Sequence, residues 1–184
     1  PHISTYSLII EDNTKLKING VKNIDKVLDR NMYDIISKTL KDKGYVHYEI
    51  SNFSKPLYES VHNLKYWHNN HYYGFGVGSS GYLYDVRYTN TRSITKYIEG
   101  KTVLDKEVLS IKDKMFYEIM LNLRTNEGID KRLFKIKYNT NIEELIDYKN
   151  LVKKGIIEDA DNHLRVKEQY FYVLDEVLLQ LIDL

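Results

Sequence analysis

The stretch Tyr45-Val-His-Tyr-Glu-Ile-Ser-Asn-Phe53, continued by His62-Asn-Leu-Lys-Tyr-Trp-His68, Tyr73-Gly-Phe-Gly-Val-Gly-Ser-Ser-Gly-Tyr82 and Arg87-Tyr-Thr-Asn90, decides how the rest of the chain is read. Between Tyr45 and Arg92 lie the single tryptophan, four of the six histidines, four of the nine glycines and a dense set of tyrosines. Rings with a polar tip on an apolar body suit a ligand-facing surface better than a plain core. Within the stretch, Tyr45 to Ser51 reads as a strand. Phe53 to Tyr72 has no sustained period and reads as a long loop with at most a short helical turn. Tyr73 to Tyr84 reads as a strand broken by glycines, and Arg87 to Arg92 as a short extended piece.

Outward from this stretch the patterns are more regular. Upstream, Ile3 to Ile10 is rich in β-branched and aromatic residues and predicts a strand ended by Glu11-Asp-Asn-Thr14. Asn23 then offers an N-cap for a helix carrying Ile24, Val27, Leu28, Met32, Ile35, Ile36 and Leu40, stopped at Gly44. Strand, helix, strand in about fifty residues is the pattern of a βαβ unit with parallel strands. The first residues read as a buried strand with no preceding turn or cap, so the chain is expected to be the C-terminal part of a longer one.

Downstream, Ser93 caps a brief helix ending at Gly100. From Leu104 helices are expected to dominate. Val108, Ile111, Met115, Ile119 and Leu123 mark the first, which Gly128 breaks; Ile129 to Tyr138 and Asn141 to Lys154 are the next two, the latter stopped by Gly155. Ile156 to Glu158 and His163 to Val166 form a hairpin, and a last helix carries Phe171, Leu174, Leu178, Leu181 and Ile182. The order resembles a winged helix, with a domain boundary expected near residue 103.

Composition excludes several function classes. With 27 Lys and Arg against 26 Asp and Glu, the net charge of +1 gives no general attraction to nucleic acid or to a membrane surface. Around the hairpin, Lys153, Lys154, Arg165 and Lys167 are offset by Glu158, Asp159, Asp161 and Glu168, so the wing reads as a packing module rather than a DNA reader. No segment reaches the roughly 18 apolar residues of a membrane span, and no leader pattern opens the chain; a cytoplasmic location is expected. There is no cysteine, hence no thiolate nucleophile and no thiolate-held cluster within these residues.

Three constellations carry possible chemistry. The alternating Gly74, Gly76 and Gly78 leave one face without side chains, on which a flat cofactor or a phosphate could lie; the run lacks the Gly-Lys-Ser/Thr ending of a phosphate loop, and on this segment alone a bent strand where two backbones touch is the slightly better reading. His62, His68 and His71 lack a carboxylate or thiolate at metal-site spacing, so zinc is disfavoured. A single imidazole beside aromatic rings is a different matter, since one histidine can be an axial haem ligand; the alternative is a partly buried polar residue that orders its loop.

Taken together, His2-Ile-Ser-x-Tyr6-x-Leu8, Tyr48-Glu-Ile-Ser-Asn-Phe53, His62-Asn-x-x-Tyr66-Trp67, Tyr73-Gly-x-Gly-x-Gly78 and Arg87-x-x-Asn90 resemble the C-terminal half of the oxygen-independent coproporphyrinogen III oxidase-like radical SAM proteins, and within them the haem-chaperone branch. Glu118-x-Met-x-x-x-Leu-Arg124, Gly128 and the hairpin after Gly155 resemble that family's small C-terminal domain.

The resemblance implies an α/β fold: the closing strands and helices of a partial (β/α) barrel of radical SAM type over 1–103, then a small winged-helix-like domain over 104–184. It implies a [4Fe-4S] cluster and S-adenosylmethionine in the full-length parent, with the cluster-holding cysteines absent here. It places Gly74, Gly76, Gly78 and Ser79 beside S-adenosylmethionine, and it makes His62 the ligand to haem iron, with Tyr66 and Trp67 as flanking aromatics. Ser79 stands where the pattern has Ala, and Leu57, after Pro56, where it has Gly. The implied function is haem binding and delivery to a haem-requiring partner, with no catalysis by this cysteine-free part alone. The alternative is oxidative decarboxylation of coproporphyrinogen III.

Overall fold

The computed structural model describes residues 1–12 and 14–182, the side chain of Ile182 excepted. Asn13, at the end of the expected first strand, and the side chain of Ile182, on the expected apolar face of the last helix, therefore lie outside what is described. The fold is mixed α/β, with strands in three separate three-stranded sheets and no closed barrel among the described residues.

The first sheet joins β1 (His2–Ser4), β2 (Val46–Glu49) and β3 (Asn52–Ser54) in the order β1-β3-β2. Both outer strands run antiparallel to β3, with Ile3 and His47 each opposite Phe53. The expected strand-helix-strand unit is therefore present, and β1 and β2 point the same way, but they are not neighbours. The tight return at Ile50-Ser51 wedges β3 between them, where a loop was expected. Asn52, Phe53 and Ser54 are all buried, yet three residues are too few to show a period.

The expected strand to Ile10 is cut to three residues. Beyond Thr5, whose N–H reaches Ser51 O at 2.8 Å, no described backbone pairs with it, and an extended segment becomes a strand only by pairing. Tyr6, Leu8 and Ile9 are exposed. After α1 (Lys15–Ile18), the helix α2 (Lys26–Asp42) starts not at Asn23 but at Asp25, whose carboxylate accepts from Val27 and Leu28 N–H at 3.0 and 3.1 Å. No residue of α2 is fully buried, and Val27, Leu28, Met32 and Ile35 are exposed.

Next come α3 (Val61–Trp67) and a second antiparallel sheet in the order β4 (Ser80–Leu83), β5 (Val86–Asn90), β6 (Val103–Val108). Between β5 and β6, α4 (Ile94–Ile98) begins where predicted, Ser93 Oγ accepting from Lys96 N–H at 3.3 Å. The strand β6 replaces the helical character expected from Leu104. Every one of its residues is exposed, so pairing with β5, rather than burial, holds it. The sheet thus runs past residue 103 to Val108.

The rest forms the dense part of the molecule. The helix α5 (Ile111–Asn122) opens with a capping box between Ser110 and Asp113. At the break after it, Gly128 has φ +70°, and a Cβ there would collide with the Leu164 carbonyl, so this crossing needs glycine. Then β7 (Ile129–Asp130), α6 (Lys131–Tyr138), α7 (Lys149–Lys153), β8 (Ile157–Ala160), β9 (His163–Val166) and α8 (Leu174–Ile182) follow, with the sheet order β7-β9-β8 of a wing.

The single helix expected over Asn141 to Lys154 is interrupted. A 3-10 turn at Ile142–Glu144 is separated from α7 because Tyr148 turns inward and its hydroxyl bonds Glu143 at 2.5 Å and Asp159 at 3.0 Å. Its apolar positions still enter the core, which gathers Ile119, Leu123, Phe134, Ile142, Leu151, Leu164, Phe171 and Leu178. Two backbone bonds, Ile50 N–H to Arg124 O (3.1 Å) and Asn126 N–H to Tyr48 O (3.0 Å), fix the first sheet to this core.

Candidate functional site

The His-Asn-x-x-Tyr-Trp segment is helical, not a loop. Ser60 Oγ accepts from Asn63 N–H at 3.3 Å and starts α3, which gives His62 and Tyr66 an i, i+4 spacing on one face. Their tips meet: Tyr66 Oη and His62 Nε2 are 2.9 Å apart, with the rings edge-on at 4.9 Å. His62 is exposed and Tyr66 half-buried. On its far side Tyr66 meets the edge of Tyr72, centroids 4.5 Å apart. Tyr72 is itself fixed by a two-way backbone bridge to Tyr82, 2.9 Å in each direction.

Trp67 does not share this face. Five residues on from His62, it lies about 140° round the helix, and its indole N–H is buried with no well-formed partner, close enough to Glu49 to favour that carboxylate's ionised form. Glu49 is fully buried. Burial pushes its carboxyl above the usual range, opposed by the Ser51 N–H at 3.1 Å and by His47. Asn52 bonds the same carboxylate, and Ser4 bonds Asn52, so Trp67 packs over a closed polar network. The ring that flanks the His62–Tyr66 pair is Tyr72, which the sequence reading passed over because the partner it needs, Tyr82, is ten residues away.

The other two histidines go elsewhere. His68 Nε2 lies 3.5 Å from Glu127, whose carboxyl the histidine holds below its usual range, and His71 Nε2 bonds Tyr84 O at 3.2 Å. No cluster of metal-ligating side chains occurs among the described residues. A groove of about 520 Å³ between the β4–β5 turn and α5 and α6 includes His71, Lys114 and Lys137, but neither His62 nor Tyr66. Both lysines are already paired, with Asp85 and Glu118.

The glycine run forms a loop closed at its base by the Tyr72–Tyr82 bridge. A Cβ on Gly74 would collide with the Ser80 carbonyl, and one on Gly81 with the Tyr88 ring, so two backbones do touch here. The loop's N–H groups are spoken for: Gly74 donates to Tyr88 Oη (2.9 Å), Gly76 to Tyr97 Oη (3.0 Å) and Gly78 to Thr91 O (2.9 Å). Asn90, 4% exposed, reaches Gly74 O, Gly76 O and Ser79 Oγ at 3.0 to 3.2 Å, and Ser79 Oγ donates to Gly76 O at 2.8 Å.

Gly74, Gly76, Gly78 and Ser79 are thus brought together, but as a pre-set wall rather than a nest of free donors. A Cβ on Gly76 would meet nothing, and Tyr73 and Phe75 stand exposed beside it, their rings stacked at 5.8 Å. Arg87, the other end of the Arg87-x-x-Asn90 motif, lies between the Tyr82 and Tyr117 rings and bonds Asn69 Oδ1 at 2.6 Å.

Residues 109–169 match the model of the HemN C-terminal domain. A protein of Lactococcus lactis described as heme chaperone HemW is 38% identical over 79% of this chain and 40% of its own length. The heme chaperone HemW of Bacillus subtilis is 32% identical over 91% of this chain and 47% of its own, and that of Escherichia coli 28% over 97% and 49%. The chain spans less than half the length of these relatives. A solved Escherichia coli structure, described as coproporphyrinogen III oxidase (HemN), a radical SAM enzyme, superposes with a TM-score of 0.66 at 14% identity, over 86% of this chain and 42% of that one. The chain belongs to the coproporphyrinogen III oxidase-like radical SAM family, as a C-terminal part closest to its haem-chaperone branch.

Proposed function

We propose that this chain is the haem-carrying part of a cytoplasmic haem chaperone, which holds haem on the outer face of α3 and passes it to a haem-requiring protein. One observation carries the reading: His62 and Tyr66 present an imidazole and a phenol side by side on an exposed helical face, backed by Tyr72. Such a face fits a flat iron porphyrin, offering a nitrogen ligand at its edge and aromatic surface behind it. His62 is the ligand, and Tyr66 is the flanking ring. Trp67 serves from beneath, by seating α3 on the Glu49 network.

The Gly74, Gly76, Gly78 and Ser79 wall borders S-adenosylmethionine in the full-length parent, and its open side over Gly76 is the surface it offers. The [4Fe-4S] cluster has no thiolate to hold it in this chain and depends on residues outside it. Both sites lie in the part that β6 carries to Val108, ahead of the winged-helix-like domain. The decarboxylase alternative rests on likeness of fold at 14% identity, whereas the relatives at 28 to 38% identity are described as chaperones.

Hemin titrated into the purified chain tests the reading. His62→Ala is expected to weaken binding about tenfold, roughly 1.4 kcal/mol, and to shift the Soret band. Unchanged affinity and spectrum would remove His62 from the site.

A further inference from the structure

The bond between His62 Nε2 and Tyr66 Oη has a consequence for haem capture. Two arrangements of the proton satisfy the 2.9 Å contact. Either the tyrosine donates to Nε2 and occupies its lone pair, or Nε2 carries the proton and donates to the tyrosine. In neither can Nε2 bind iron while the contact lasts. Nor can both atoms serve one iron from the same face of a porphyrin, which leaves a single axial position there. Taking haem iron on Nε2 therefore requires the phenol to leave.

Tyr66 is not loose. Its ring is seated edge-on against Tyr72, and Tyr72 is pinned by its two backbone bonds to Tyr82. The structure thus holds the phenol over the imidazole.

We propose that Tyr66 is a gate on His62: its hydroxyl competes with haem iron for Nε2, weakening capture and speeding release. This rests on the assignment of His62 as ligand, and it gives Tyr66 a role opposite in sign to that of a flanking aromatic. A carrier that must surrender its cargo gains from a competitor built beside the ligand. When haem departs, the hydroxyl returns to Nε2 and offsets part of the lost iron bond.

The test is stopped-flow and equilibrium titration of hemin into the chain, with Tyr66→Phe beside His62→Ala. Phenylalanine keeps the ring and its contact with Tyr72 and deletes only the hydroxyl. Tyr66→Phe is expected to bind hemin about threefold more tightly, the scale of one exposed hydrogen bond, with slower release and an unchanged Soret position. Equal or weaker binding by Tyr66→Phe, with His62→Ala impaired, overturns the gate and leaves the haem reading standing. A changed ligand spectrum in Tyr66→Phe also overturns it, since the phenol would then be a ligand itself. If His62→Ala binds hemin as the parent does, the reading beneath the gate fails, whatever Tyr66→Phe does.

Discussion

Residues 1–108 and 109–182 are built on different principles. Of the buried apolar side chains described, Tyr48, Phe53 and Tyr82 belong to the first region and the other eighteen to the second. The second is a core with helices and a wing wrapped round it. The first is held by capped helices, short ladders and polar contacts such as those of Asn90 and Glu49, while Val27, Leu28, Met32 and Ile35 of α2 stay exposed. The candidate site lies wholly in the first region. There, side-chain positions are set by hydrogen bonds and ring edges, which can be broken and remade at small cost, and this suits a surface that takes and gives up a ligand.

The largest expected effect would break or uphold this contrast directly. Phe134→Ala should destabilise the chain by about 3–5 kcal/mol through loss of buried surface and a cavity, while Ile35→Ser on the exposed face of α2 should change stability by less than about 0.5 kcal/mol. Urea unfolding of both variants compares them; similar losses would show that α2 is packed in solution. Next in size, Asn90→Ala leaves Gly74 O, Gly76 O and Ser79 Oγ without their shared donor, with an expected loss of about 1–3 kcal/mol. Hydrogen exchange should localise the change to residues 73–81 and leave α5 to α8 protected.

A smaller effect of opposite sign is expected at Leu57. Lys55-Pro-Leu-Tyr58 is a turn closed by Tyr58 N–H to Lys55 O at 3.0 Å, with Leu57 at φ +70°, the position where a type II turn takes glycine. The side chain is 95% exposed, so nothing repays the strain. Leu57→Gly should raise stability by about 0.5–1 kcal/mol, the left-handed penalty less the added freedom of the unfolded chain. A thermal melt reads it.

The smallest effect sits on the seam between the regions. Burial disfavours the Glu168 carboxylate, but hydrogen bonds from His47 (3.1 Å) and Lys41 (2.8 Å) outweigh it and hold the carboxyl below its ordinary value. A depressed carboxyl contributes stability above its unfolded pKa and loses it as pH falls through the folded one. Melts taken downward from pH 5 should therefore lose stability in the parent more steeply than in Glu168→Gln. Parallel curves would mean that this seam contributes nothing.

How much of this could be read in advance follows the same division. In the second region α5 and α6 were legible, because Ile119, Leu123 and Phe134 face one core at helical spacing and Gly128 and Gly155 punctuate it, while the break between Glu144 and Lys149 was not, since the partners of the Tyr148 hydroxyl carry no period. In the first region the Ser93 cap was legible, while β3 and β6 were not. One is three residues long, and the other is exposed throughout, so neither alternates between core and solvent. At the site, the residue types were legible but their partners were not. His62 and Tyr66 share a face only once α3 is known to be a helix, and seven residues are too few for periodicity to say so. Tyr72 and Asn90 act through contacts ten to sixteen residues away, which no local pattern encodes.

Among the described residues no strand pairs with the outer edge of β6, and an open edge is a template on which a second molecule can add its own strand. Its sequence Val103-Leu-Asp-Lys-Glu-Val108 guards against that. In an antiparallel pairing of two copies centred on Lys106, lysine faces lysine and Asp105 faces Glu107. In a parallel, in-register pairing each charge meets its own kind. Both arrangements set like charges against one another, so three central charges that contribute nothing to a core help keep concentrated solutions of the protein from stacking edge to edge.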